Sequence, residues 1–288
     1  MISIFKDIFE YQFLKNAVLA ALLVSIVAGI IGTYITSRRL VFLSGGITHA
    51  SFGGIGIAYY MGISPIVGAI VFSVLSAFGI EVLSHRKNIR EDSAIGILWA
   101  FGMAVGIIFI FLTPGYAPNL MSFLFGSILT VTSADLVYLI ILNIAVILFF
   151  ILFYRQILYI AFDQDFARSQ KIPVNLFNYI LIAFIAIAIV LSIRVVGIIL
   201  LISLFTVPPT IANIFSNHFG KIIFWSILIS FIGAFIGLLL SYGINIPSGA
   251  AIVVVFVLMF GIVKLFNVLF QRIKIREKIK VKGEKINR

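Results

Sequence analysis

Apolar residues run along this chain in stretches of about 20, the length an α-helix needs to cross the hydrocarbon core of a bilayer. Nine such stretches are read from the pattern, at residues 14–36, 41–61, 64–84, 93–113, 133–154, 174–193, 195–215, 220–242 and 247–270. Turn chemistry separates them at Gly62 to Pro65, Pro114 to Pro118, Pro173 and Asn245 to Gly249. The faintest cut lies between the sixth and seventh, where Arg194 alone interrupts the apolar run. Merging those two, or inserting an N-terminal segment, would change the count to eight or ten. The expected fold is an all-α polytopic membrane protein with about nine transmembrane helices.

Composition agrees with the pattern. Of 288 residues, 62% are hydrophobic and 11% charged, whereas a soluble domain is nearer half apolar and a quarter charged. No soluble fold could hide this much apolar surface. Cysteine is absent, which excludes disulfides and thiolate metal sites. Met1 to Lys15 mixes Lys6, Asp7, Glu10 and Lys15 with aromatics and lacks the pattern of a cleavable signal peptide.

The net charge of +11 matters through its placement. With the N-terminus outside, the inner loops hold Arg38, Arg39, Arg86, Lys87, Arg90, Arg155, Arg168, Lys171 and Lys221, and a further nine basic residues lie between Lys264 and Arg288. The outer segments hold Lys6, Lys15 and Arg194 only. Positive charge gathers on the cytoplasmic side of membrane proteins, so the N-terminus is expected outside and the C-terminus inside. Nine crossings keep the basic loops on one side. We divide the chain into a membrane domain, residues 1–270, and a basic cytoplasmic tail, residues 271–288. A short basic tail on a membrane domain suits anionic lipid and gives no reason to expect nucleic acid.

Four segments carry candidate chemistry. Residues 44–58 read Ser-Gly-Gly-Ile-Thr-His-Ala-Ser-Phe-Gly-Gly-Ile-Gly-Ile-Ala and hold His49, which alone among the histidines lies inside an apolar span. An ionisable ring at membrane depth is a candidate for a transport path. Gly45, His49 and Gly53 share one helical ridge, with hydroxyls nearby at Ser44, Thr48 and Ser51. This small-residue helix serves either close packing or clearance for a moving ion. The rival role for His49 is a hydrogen bond to a carbonyl that locks helix packing. The loop 154–173 predicts a short polar helix of about two turns, with Asp163 as N-cap, Asp165 in the first turn, Arg168 and Lys171 in the last, and Pro173 as the stop. It is read as a membrane-surface connector or a docking helix. Residues 121–136 are too polar and short to span and predict a re-entrant or interfacial segment, with Asp135 capping the fifth span. Pro208 and Pro209 interrupt the seventh span in its middle, read either as the broken helix of a transport core or as a tolerated kink.

Other chemistry is missing. No phosphate-binding loop is present, since Gly220-Lys221 is followed by Ile222 and lacks the earlier glycine. No paired intramembrane carboxylates, nucleophile triad or chain of acids for a proton or sodium relay can be assembled. The chain reads as neither an enzyme nor a transporter with its own energy source.

Taken together, several blocks resemble the membrane permease of a metal-cation ABC importer, the family that takes up zinc, manganese or iron. Residues 44–50 resemble the pattern Gly-Asp-Ala-Leu-Ser-His-Ala followed by a glycine-rich helix. Asp92 to Gly96, Leu124 to Ser127, Phe162-Asp163 with Ala167, Val196-Gly197 leading to Pro208, Pro209 and Ala212, and Pro247-Ser248-Gly249 resemble further blocks in order. The resemblance covers roughly residues 14–270. It implies a multi-pass protein of the bacterial plasma membrane that works as a homodimer. It further implies a separate cytoplasmic ATP-binding subunit docking around Asp163, Asp165, Ala167, Arg168 and Lys171. An extracytoplasmic binding protein would deliver the metal. No cofactor is expected on the chain itself; the divalent metal is cargo, and ATP is used by the partner. His49 becomes the candidate metal contact, and Ser44, Gly45, Thr48, Ser51, Gly53, Pro208 and Pro209 become candidates to line the path.

Two positions depart from the family pattern. The aspartate four residues before the histidine falls on Gly45, and the coupling-loop glycine falls on Lys171. A neutral imidazole without that carboxylate suits Zn²⁺ or Fe²⁺ better than Mg²⁺ or Ca²⁺. Two alternatives stay open: a permease for iron chelates or cobalamin, and a secondary transporter without an ATPase.

Overall fold

The computed structural model of the chain describes residues 10–85, 89–114 and 128–286. Among the described residues all regular structure is helical. Four long helices come first: α1 (Gln12–Ser37), α2 (Val41–Met61), α3 (Pro65–His85) and α4 (Glu91–Leu112). A 3₁₀ turn (Ile128–Thr130) leads into α5 (Ser133–Leu152) and two short helices, α6 (Tyr154–Phe162) and α7 (Gln164–Ser169). Then follow α8 (Val174–Phe215), α9 (Phe219–Ile244) and α10 (Ser248–Ile286). The residues expected to begin a re-entrant segment, 121–127, and the block Leu124 to Ser127 lie outside the described residues.

Eight helices among the described residues are long and apolar enough to cross a membrane, and Leu200–Phe215 adds a shorter apolar stretch. The difference from nine sits in α8. Its 42 residues would extend about 63 Å as one rod, twice the hydrocarbon thickness of about 30 Å. The helix breaks instead at Gly197, where φ is 78° and ψ 167°. No L side chain adopts that geometry readily.

The break expected at Pro208 and Pro209 is therefore displaced. Both prolines lie inside a continuing helix. They leave the carbonyls of Leu204 and Phe205 without an amide partner. The Phe205 carbonyl is covered by α1, because a Cβ on Gly32 would stand 2.5 Å from its oxygen. Glycine at 32 lets one backbone close over the other's freed acceptor.

Among the described residues, left-handed residues end four helices. Gly62, at φ 67°, and Asn245, at φ 55°, are ordinary choices there, whereas Arg39 (φ 60°) and Lys171 (φ 59°) are not. After α1, Arg39 N–H donates to Thr36 O and Leu40 N–H to Ile35 O. The paired bonds satisfy the carbonyls left open at a helix C-terminus.

In the bundle, α1, α2 and the first half of α8 are the most buried spans, while α3, α4, α5 and α10 leave broad apolar faces uncovered. Helix α2 packs on α3, α4 and α8; α1 packs on α5, α8 and α9. Polar groups join distant helices: Asn143 Nδ2 donates to Leu23 O at 3.1 Å, and Thr33 meets Ser226, hydroxyl to hydroxyl, at 3.3 Å. Such bonds stabilise helix pairs in lipid, where water cannot compete.

Candidate functional site

The small residues of α2 are used mainly for packing. A Cβ on Gly54 would strike the carbonyl of Gly68 in α3, and one on Gly56 the carbonyl of Gly106 in α4. Gly53 stands against both Phe72 and the Gly102 carbonyl, at 2.8 and 2.9 Å from a would-be Cβ. Gly45 differs. Its would-be Cβ meets only Ile202 Cδ1 of α8, at an ordinary 3.4 Å, so a small side chain fits there.

The hydroxyls near His49 are turned onto their own helix. Ser44 Oγ donates to Val41 O at 2.7 Å, Thr48 Oγ1 to Ser44 O at 2.7 Å, and Ser51 Oγ to Thr48 O at 2.6 Å. Their protons are thus engaged and their lone pairs remain. All three residues are buried.

His49 stacks flat on Trp99 of α4, with ring centroids 4.1 Å apart and planes within 4°. Its Nδ1 is buried and has no hydrogen-bond partner. The rival expectation, a bond to a carbonyl, is therefore not met at that nitrogen. Buried polar atoms are nearly always paired, so an orphaned imidazole nitrogen is what a transient ligand would engage. The sequence reading missed Trp99. One of two tryptophans in the chain, it carried no local signal, because its partner lies 50 residues away.

A cavity of about 340 Å³ opens at the end of α2 opposite its Ser44-Gly45-Gly46 start, lined by Tyr59, Pro65, Thr130, Asp135, Ile193 and Arg194. A narrow extension shares Pro65, Ile193 and Arg194 and reaches Ser51 and Ile55. Arg194 Nε pairs with Asp135 Oδ1 at 3.1 Å across the cavity wall. Asp135 is not itself the N-cap of α5. Thr132 holds that place, its hydroxyl accepting from Asp135 N–H, while Asp135 Oδ2 accepts from Thr132 N–H at 3.0 Å. This reciprocal box leaves the other carboxylate oxygen for Arg194. Pro208 and Pro209 are buried, and Pro209 packs on α1 at Gly32.

At the other end, α7 forms as the sequence predicts. Asp163 Oδ1 accepts from the N–H groups of Asp165 and Phe166, both at 3.0 Å. Asp165 pairs with Arg168 at 2.9 Å. Lys171 N–H and Ile172 N–H close the helix onto Arg168 O and Ala167 O. This is the left-handed cap for which glycine is the usual residue, and Lys171 supplies it. Ala167 is buried among Ile160, Val174 and Phe177, while Asp163, Asp165, Arg168 and Lys171 face outward. The six residues of α7 are thus anchored on one side and charged on the other.

The bundle as a whole, with His49 inside it and the capped helix α7 on its surface, is similar to known proteins. The ABC 3 transport family model matches residues 10–267. The chain belongs to that family. A probable metal transport system membrane protein of Chlamydia pneumoniae is 38% identical over 87% of this chain and 87% of its own length. The manganese transport system membrane protein MntC of Halalkalibacterium halodurans is 33% identical, covering 91% of this chain and 90% of that one. Among solved structures, PsaBC from Streptococcus pneumoniae in complex with Fab superposes with a TM-score of 0.82 at 31% identity, covering 91% of this chain and 95% of that one. Membership in this ABC transport family makes the chain a multi-pass membrane permease component.

Proposed function

We propose that this chain forms the translocation path of an ATP-driven importer for a divalent transition metal ion. The observation that carries the reading is the family match over residues 10–267. The pairing of an orphaned imidazole nitrogen with a capped surface helix supports it. Two copies would build the path, each contributing His49. The metal is cargo, and ATP is consumed by a separate cytoplasmic subunit docked on Asp163, Asp165, Ala167, Arg168 and Lys171. A binding protein outside the cell would deliver the ion. Nine crossings, with α8 counted as two, would put the N-terminus outside and agree with the placement of basic residues. Manganese is the cargo named for relatives at 33% and 34% identity, so Mn²⁺ is the first ion to test, before Zn²⁺ and Fe²⁺.

The test is reconstitution in vesicles with its cognate ATP-binding and metal-binding proteins, followed by ⁵⁴Mn²⁺, ⁶⁵Zn²⁺ and ⁵⁵Fe²⁺ uptake. Uptake of one of these ions that requires ATP is expected. Uptake indifferent to ATP, or of none of the three, overturns the proposal.

A further inference from the structure

A short helix on a membrane surface can drive the spans beneath it only if something rigid joins them. Ala167 contributes apolar packing, and Gln164, the first residue of α7, is a half-buried polar side chain that bonds into the bundle. The donors around this amide set its orientation. With the oxygen inward it accepts from Arg38 Nη2 at 2.6 Å, Arg38 Nη1 at 3.0 Å and Asn178 Nδ2 at 3.1 Å. Arg38 Nη1 also donates to Ile160 O in α6 at 3.2 Å. Asn178, buried in α8, reaches Glu81 Oε1 in α3 at 3.4 Å.

Arg38 holds a particular place in the chain. It is the C-cap of α1, and only Arg39 and Leu40 separate it from the start of α2. Its guanidinium grips a single acceptor with two nitrogens, a geometry that a flexible ammonium does not reproduce. The network borders a cavity of about 210 Å³ lined by Tyr34, Arg38, Leu43, Glu81, Glu91 and Asn178, among others. Leu43 directly precedes Ser44, so the cavity lies at the inner end of the small-residue helix. Polar groups beside a void can change partners without repacking an apolar core.

We infer that Arg38 is a positioning residue that couples α7 to the conducting helices. Through Gln164 and Asn178 it ties α7 to the α1–α2 turn, α3 and α8, so a displacement of α7 moves the start of α2. The inference rests on the reading of α7 as the docking helix for an ATPase. It adds the inward half of that device, which the charged outward residues do not supply.

The test uses the complete transporter carrying Arg38→Ala, Arg38→Lys, Gln164→Ala or Gln164→Glu, with three readouts: co-purified ATPase, ATP hydrolysis and metal uptake per ATP hydrolysed. Arg38→Ala and Gln164→Ala are expected to keep the ATPase bound and to lower uptake per ATP about tenfold, the scale of one allosteric coupling. Gln164→Glu, which offers the guanidinium a carboxylate, should keep uptake per ATP near that of the unaltered protein, and Arg38→Lys should fall short of it. Unchanged uptake per ATP in both alanine variants overturns the inference. So does loss of the ATPase from both, which would make these residues docking contacts. If Arg38→Ala fails to accumulate in the membrane, the two Gln164 variants decide the question, since Gln164 is only half-buried. Failure of the ATPase to co-purify with the unaltered chain would instead sink the docking reading on which the inference stands.

Discussion

At the scale of single residues, Lys171 is a position where residue type and backbone disagree. A left-handed conformation costs a non-glycine residue about 1–2 kcal/mol, offset in part by the lower freedom of lysine in the unfolded chain. Lys171→Gly is therefore expected to stabilise the turn by about 0.5–1 kcal/mol. Slower amide hydrogen exchange over residues 165–172 would register it, and faster exchange would contradict it. His49 poses a chemical question rather than a conformational one. Replacing it with Ala removes the orphaned Nδ1 and the stack on Trp99. Uptake at limiting metal should drop by about tenfold or more, the equivalent of about 1.4 kcal/mol. Unchanged uptake of Mn²⁺, Zn²⁺ and Fe²⁺ would remove His49 from the path. The sequence alone singled out His49 by its isolation in an apolar run. It could not show that the ring lies on Trp99, since that pairing is made across two helices.

At the scale of helices, α2 separates its glycines into two kinds. Gly54 and Gly56 face backbone carbonyls of Gly68 and Gly106, whereas Gly45 faces the tip of Ile202. Backbone cannot yield as a flexible side chain can. Gly54→Ala and Gly56→Ala should each destabilise the protein by about 1–3 kcal/mol, the usual cost of overpacking, while Gly45→Ala should be nearly neutral. Thermal unfolding in detergent distinguishes the three, and equal losses at all positions would refute the division. Spacing made every one of these residues look alike, because it reports the ridge a residue occupies and not the neighbour that faces it. The same limit displaced the break in α8. Local rules pointed to Pro208 and Pro209, yet Gly197 has the positive φ, and the freed Phe205 carbonyl is covered by Gly32 more than 170 residues earlier. By contrast, the caps of α7 were legible, since Asp163 bonds residues two and three positions onward.

At the scale of the whole molecule, the uneven distribution of basic residues carries an orientation that labelling can check. The chain has no cysteine, so single cysteines introduced at the exposed positions Ser64 and Lys171 would be the only targets for a thiol reagent. An impermeant maleimide should label Ser64→Cys on intact cells and Lys171→Cys only after the membrane is opened. The reverse pattern would invert the arrangement and place α7 beyond the reach of a cytoplasmic ATPase. The approximate positions of the apolar stretches, the basic bias, the caps of short helices and the order of family blocks were all present in the sequence, while the division of α8 at Gly197 was not. Each depends on residues within a turn or two of one another, or on composition averaged over a span. The stack of His49 on Trp99, the ion pair of Arg194 with Asp135 and the tie of Gln164 to Arg38 were decided only by tertiary structure. Their members lie 50, 59 and 126 positions apart, and no local pattern constrains which side chains a packed bundle will bring together.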